Sequence, residues 1–280
     1  MHRCRKTQTG VALAIVVWFI AGMSLLVAGI VSQARVDSRM AQLHVARAKT
    51  VAAGDGAIMM SLAAALAGDG SAASVVTQRV GGVDVDVEIV PAAGLIDLNS
   101  ASPQLLVALF RIGAGLDEGA AQNLADNVIK WRAPARGDRR GVQTAFAAPE
   151  DLLRVTGVNR AILDRVRDFV AAGVSRGGGG NWSAAPDSVL TILDRVDPRA
   201  AAAARTQRER SGQSGNGRFG SEGQPLASGV YRVDARVRYG DRLWLRRIWI
   251  TTDSRNGSSL PWKALRIEAP RVVGALGAGT

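Results

Sequence analysis

Cysteine and histidine, the side chains that most often carry metal or nucleophilic chemistry, are almost missing from this 280-residue chain, which has only Cys4, His2 and His44. That excludes a disulfide framework, a Cys-rich zinc site and a Cys–His catalytic pair. Any metal would have to rest on carboxylates. No serine stands in a Gly-x-Ser-x-Gly elbow, no carboxylate pair stands out, and His44 is far from any acid cluster, so it reads as a surface or packing residue. Gly215-Asn216-Gly217-Arg218-Phe219-Gly220 has the formal spacing of a dinucleotide fingerprint. No strand pattern precedes it and no helical pattern follows, which is loop composition and not a phosphate cradle. The residues do not point to an enzyme.

Lys and Arg number 35 against 24 Asp and Glu, a net charge of +11, and 47% of the chain is apolar with only 5% aromatic. A disordered polyelectrolyte is excluded, and one or two domains with a small-residue core or long helices are expected. The 21 residues from Val11 to Val31 carry no charge and lie between Arg3, Arg5 and Lys6 on one side and Arg35, Asp37 and Arg39 on the other. As a helix this run covers about 30 Å, the thickness of a hydrocarbon core. The basic N-terminal flank places that end in the cytoplasm and the rest of the chain across the membrane. The run is longer than a signal-peptide core and ends in Ser-Gln-Ala-Arg without a small-x-small exit, so a retained helix is expected.

No proline interrupts residues 31–66, and Val36, Met40 and Leu43, then Val51, Ile58 and Leu62, recur at helical spacing. A helix from Val11 to about Ala67, roughly 85 Å long, would serve as membrane anchor and then as a spine; Gly54 and Gly56 are its weak points. Val83, Val85, Val87 and Ile89 alternate with acids up to Pro91, the pattern of a half-buried strand. Asn99 or Ser102 can cap a helix that opens with Pro103 and buries Leu105, Leu106 and Leu109. Residues 119–131 and 150–170 read as further helices, and Asn181 to Pro186 followed by Val189, Leu190 and Leu193 reads as a weaker copy of the capped helix. Residues 231–239 and 243–251 form the clearest hairpin, turning at Gly240-Asp241, and a third strand is expected over 262–268 after the Asn256-Gly257 turn. The four glycines before Asn181 and the stretch 205–228, which has almost nothing to bury, read as linkers.

A basic leader ending in Thr9-Gly10, ahead of an apolar helix starting at Val11, resembles the leader of type IV pilins and type II secretion pseudopilins. The resemblance implies cleavage by a prepilin peptidase between Gly10 and Val11, and N-methylation of Val11. In most of that family the fifth mature residue is a glutamate. Here it is Ile15, a departure that suits a subunit with nothing ahead of it in a filament, since a lone carboxylate in lipid is costly. Lacking the glutamate and being long, the chain is similar to the minor pseudopilin K family (general secretion pathway protein K) of the type II secretion system. Residues 94–103, Gly-Leu-Ile-Asp-Leu-Asn-Ser-Ala-Ser-Pro, look like that family's most recognisable segment, as do residues 125–132 and 149–158.

The fold this implies is α+β: a pilin-like long N-terminal helix packed on a small antiparallel sheet, with a large inserted all-helical domain. The boundaries are a leader at 1–10, a membrane part at 11–31, a periplasmic spine with the first strand at 32–95, the helical insertion at 96–200, a flexible linker at 201–228 and C-terminal strands at 229–280. The implied role is a single-pass inner-membrane subunit at the pseudopilus tip, with its C-terminal domain periplasmic. It would initiate or cap assembly for export of folded proteins, with minor pseudopilins I and J, pseudopilin H, the prepilin peptidase and the inner-membrane secretion platform as partners.

Family members often carry calcium after the Trp-Arg segment, which makes Asp126, Asp138, Glu150 and Asp151 the candidate ligands here. With one acid among four arginines over residues 131–140, the donor set is thin for an ion that takes six to eight oxygens. A second reading comes from Leu152 to Val158, which also resembles a helix-hairpin-helix element. There a glycine turn offers amides to a phosphate, and Asp97 to Ser102 is similar to the opening of membrane-anchored competence DNA receptors. Arg132, Arg136, Arg139, Arg140 and the net charge suit nucleic acid. Three of the eleven net charges belong to the leader, however, and the turn can simply pack helices.

Overall fold

The computed structural model describes residues 9–68, 75–132, 145–173, 180–213, 226–252 and 260–275. The chain divides into two units, one through Val51 and one from Ala52, and the 59-residue helix α1, Thr9–Ala67, contributes to both. In the first unit α1 is apolar all round from Leu13 to Val31, and its large side chains are exposed. A helix with no polar face is suited to lipid and not to a water-facing surface. Its one hydroxyl in mid-span is satisfied internally, Ser24 Oγ donating to Ile20 O at 2.8 Å. The helix is long and apolar enough to cross a membrane.

In the second unit the last turns of α1 bury Ala53, Ala57, Ile58, Leu62 and Ala65, spaced by four, one, four and three residues. This stripe packs on a six-stranded sheet. Gly54, a weak point by propensity alone, sits tight against the sheet: a Cβ there would lie 2.9 Å from the Cβ of Arg246. Its missing side chain is the condition for the packing, which outweighs the cost of a helical glycine. Gln78 Nε2 also donates to Ser61 Oγ at 3.3 Å.

The sheet is antiparallel throughout. Strands β1, Val76–Val80, and β2, Val83–Pro91, form a hairpin. Strand β2 pairs with β5, Val230–Tyr239, which turns at Gly240 into β6, Arg242–Thr251. Strands β7, Lys263–Ile267, and β8, Arg271–Ala275, both pair with β6. The strands at 83–91, 230–251 and 263–267 were expected. Strands β1 and β8 are too short and too exposed to show an alternating pattern. The Asn256-Gly257 turn lies outside the described residues.

Residues 92–229 enter the sheet between two neighbouring strands, so the helical block is an insertion and not a separate tail. It contains α2, Pro103–Ala108, continued by a wider π turn to Gly113, then α3, Glu118–Arg132, α4, Arg160–Val166, α5, Asp187–Leu193, and α6, Pro198–Gln213. Among its described residues the strand structure is one two-residue parallel pair, β3, Ile96–Asp97, with β4, Val170–Ala171. One apolar core runs through it, from Leu98, Leu106 and Phe110 to Leu163, Leu190 and Trp249 of the sheet.

Two expectations need correction. Residues 150–170 are not one helix: a 3₁₀ turn, Pro149–Arg154, is followed by a break at Thr156-Gly157 before α4, and Val170 is already in β4. Of the two caps expected for helix α2, Ser102 is the one used, since the Leu105 N–H donates to Ser102 Oγ at 3.2 Å. The segment read as linker from residue 201 is helical to Gln213, because Asp197 Oδ1 accepts from the Ala200 N–H and Ala201 and Ala204 are buried. Along that helix Arg205 pairs with Asp194 at 3.3 Å and Arg208 with Asp187 at 2.7 Å. Intrinsic composition suggested solvent, and tertiary burial of two alanines decided otherwise.

Candidate functional site

The three segments singled out in the middle of the chain are brought together, and each holds another. Asp97 folds the first: its Oδ1 accepts from the Asn99 N–H at 3.0 Å and its Oδ2 from Ser100 Oγ at 3.0 Å. Asn99 then clamps residue 146 from both sides, Nδ2 donating to Phe146 O at 3.0 Å and the Phe146 N–H donating to Oδ1 at 2.7 Å. Arg132, at the end of the second segment, reaches back to Leu98 O at 3.0 Å and Ala101 O at 2.7 Å. Burial lowers the pKa of its guanidinium in spite of Asp97. Beside it Trp131 lies on Phe146 with centroids 4.2 Å apart. Arg132 is thereby committed to carbonyls inside the protein. Replacing Asn99 by Ala is expected to lower stability by about 1–3 kcal/mol, as two buried backbone groups lose their partner. A urea titration of the full chain would show it as a lower midpoint at unchanged slope.

The third segment meets the second at the glycine turn. Gly157 has φ of +91°, and a Cβ there would also strike Leu124 Cδ2 of α3 at 2.8 Å. Asn127 Nδ2 donates to Thr156 O at 3.0 Å, and the Val158 N–H donates to Val155 O at 3.1 Å. The next helix is capped by Asn159, whose Oδ1 accepts from Ile162 N at 3.0 Å. These groups are spent on seating the turn against α3 and on capping α4.

A second constellation, not foreseen from the sequence, joins the insertion to the sheet. Asp234 on β5, 1% exposed, accepts from Arg247 Nε at 2.6 Å and Nη2 at 2.8 Å, and lies 3.1 Å from Arg232 Nε. Burial alone would raise the Asp234 carboxyl, but Arg232 and Arg247 outweigh it and hold the pKa down at about 2. Arg247 is raised, as Asp234 overcomes its burial, while burial prevails for Arg232 and lowers it. Asp168, just past α4, completes the group. Its carbonyl accepts from Arg232 at 2.6 Å, and its carboxylate pairs with Arg247 at 2.8 Å and Arg271 at 2.6 Å.

The chain of contacts continues along the sheet. Arg167 donates to Glu268 Oε2 at 2.7 Å and pairs with Glu150 at 3.0 Å, while Trp249 Nε1 donates to Glu268 Oε1 at 2.9 Å. Arg266 stacks over Trp249 at 4.7 Å. Arg246 holds Asp55 of α1 in a two-pronged pair at 2.7 and 3.1 Å and donates to Glu268 O at 2.7 Å. A connected network thus ties the helical insertion, the sheet and the end of α1 to one another. The only signal for it was the alternation Arg232, Asp234, Arg236, Arg238. That pattern reads as a solvated face, and the residue pairing Asp234 with Arg247 appears only in the register of the hairpin.

Gly10 and Val11 lie in the first turn of α1, and Ile15 faces outward on it. Among the calcium candidates, Asp126 accepts from Gln122 at 3.1 Å and Glu150 is paired with Arg167. Asp151 Oδ2 caps the 3₁₀ turn by accepting from the Ala147 and Ala148 N–H groups at 2.8 and 3.1 Å. Asp138 is outside the described residues, as are Arg136, Arg139, Arg140 and the glycine run at 215–220. Among the described residues no three acids or histidines converge as a metal site. The described candidates do not fit calcium: each already serves a nearby donor. His44 is exposed on α1.

Taken together, these features define an α+β chain with one long apolar N-terminal helix, an antiparallel sheet and a helical insertion pinned to it. No protein-family model and no curated protein matches the sequence. The chain is similar to a chain of the solved GspK-GspI-GspJ complex from the enterotoxigenic Escherichia coli type 2 secretion system. The match has 11% identity, covers 85% of this chain and 99% of that one, and has a TM-score of 0.48.

Proposed function

We propose that this chain is a minor pseudopilin at the tip of a type II secretion pseudopilus, where it initiates or caps assembly. The observation that carries the reading is the insertion of residues 92–229 between adjacent strands β2 and β5, in a chain whose N-terminal helix is apolar through Val31. A block of that size, clamped to the sheet through Asp168, Asp234 and Glu268, cannot be accommodated by sterics along a close-packed helical shaft. It fits an end position. Ile15 in place of the usual glutamate suits the same position, because a subunit with none ahead has no amine to pair.

On this reading the peptidase cuts after Gly10, Val11 becomes the methylated N-terminus, and the helix waits in the inner membrane with the rest of the chain in the periplasm. It then packs against minor pseudopilins I and J, with H beneath, on the inner-membrane platform. Co-expression of the full chain with I and J from the same genome tests this. A complex of the three is expected to survive detergent gel filtration. A chain that elutes alone, and instead binds duplex DNA with an affinity falling steeply as salt rises, would replace this reading by the DNA-receptor one.

A further inference from the structure

Both flanks of the apolar run are basic. Arg3, Arg5 and Lys6 precede it, and Arg35 and Arg39 follow it, with Arg47 and Lys49 further on. The lysine and arginine count within about 20 residues of a single span biases its orientation. Here that count is three ahead of the run against four behind it. Asp37, the one acid in the following flank, does not redress the balance, because acidic residues contribute little to orientation. Helix α1 continues without a break through Ala67, which puts Arg35 about 6 Å and Arg39 about 12 Å beyond Val31 along the axis. Both are exposed, and neither pairs with an acid among the described residues. Asp37 instead accepts from Gln33 at 3.0 Å. The two guanidinium groups thus keep their full charge at the edge of the span.

A single span can insert either way round. With its N-terminus inside, Arg35 and Arg39 must be carried outward against a potential that is negative inside, and with its N-terminus outside, Arg3, Arg5 and Lys6 must be carried instead. Close to the span that is three cations against two, a narrow margin. We propose that the orientation of α1 is a contest between these flanks, in which Arg3, Arg5 and Lys6 hold the N-terminus inside by outweighing Arg35 and Arg39. The first ten residues then act as a topological restraint as well as a processing signal. Once they are removed, no lysine or arginine remains ahead of the span, so the restraint lasts only until processing. This rests on the membrane reading of residues 11–31 and on no partner.

The test fuses alkaline phosphatase, active only where its disulfides form outside the cytoplasm, to the C-terminus of the full chain. Activity is measured per chain retained in membranes after a carbonate wash, so that a variant that fails to insert is not counted. The wild-type fusion is expected to be active. Changing Arg3, Arg5 and Lys6 together to Gln should lower activity roughly fivefold as inverted chains accumulate, and adding Arg35→Gln and Arg39→Gln to that variant should restore it. Two results would overturn the proposal. One is wild-type activity in the triple variant, which would leave the leader charges without a topological role. The other is activity in the fivefold variant as low as in the triple one, which would show that Arg35 and Arg39 do not compete. A wild-type fusion that the carbonate wash releases is a separate result, and it would remove the membrane reading itself.

Discussion

Asp234→Ala is expected to destabilise the protein by about 3–5 kcal/mol, because it leaves Arg232 and Arg247 buried and facing each other without their shared anion. For a domain of this size that is a fall of roughly 10 °C or more in thermal midpoint. The wild-type pair is not itself a large source of stability, since desolvation offsets most of the attraction. A triple variant with apolar residues of similar volume at 232, 234 and 247 should therefore recover most of the loss, and calorimetry of the single and triple variants would separate the two effects. If Asp234→Ala melts with wild type, the network is not buried as described. The pH dependence has a defined sign. The folded carboxyl sits at about 2, below the about 3.9 of an unfolded aspartate. Its contribution is complete above about pH 4 and is lost as pH falls through 2, so the junction should hold through mild acid.

Gly10→Arg is expected to abolish processing. A peptidase that cuts between Gly10 and Val11 needs a small residue before the scissile bond, and a bulky cation there should leave residues 1–10 attached. Intact-mass measurement on membrane fractions would show the full-length species alone, and secretion of folded cargo should fall to background. Because the substitution lies outside the apolar run, membrane insertion should be unchanged, which separates a processing defect from a failed anchor. A mature chain starting at Val11 in this variant would sink the leader assignment. One starting near Arg35 would show instead a cleaved signal peptide, the reading that the length of the apolar run opposes.

The helices and strands that sequence reasoning located best are those whose pattern is local. The run from Val11 to Val31, the alternation at 83–89 and the hairpin turning at Gly240 each repeat one physical period often enough to exclude the alternatives. Where a short element is held by distant partners, that reasoning fails. Helix α6 forms because Ala201 and Ala204 find a core, and β8 exists because β6 offers an edge. Residues 150–170 break at Gly157 because the turn must fit against Leu124, a contact with no trace in the local pattern.

The candidate site divides along the same line. The sequence alone determined the long apolar run after Gly10, the absence of a carboxylate at Ile15, and the segments at 94–103, 125–132 and 149–158, because each is a matter of residue type in contiguous order. It could not show that those segments form one hydrogen-bonded knot through Asn99, Arg132 and Asn127, nor that calcium's described candidates are occupied by other donors. Only the tertiary structure decided that Arg232 and Asp234, on the charged face of the hairpin, belong to a buried junction. Burial changes the meaning of a charge: the same Arg-Asp alternation is a solvated surface in water and a clamp when Asp168 and Glu268, far away in the chain, are folded onto it.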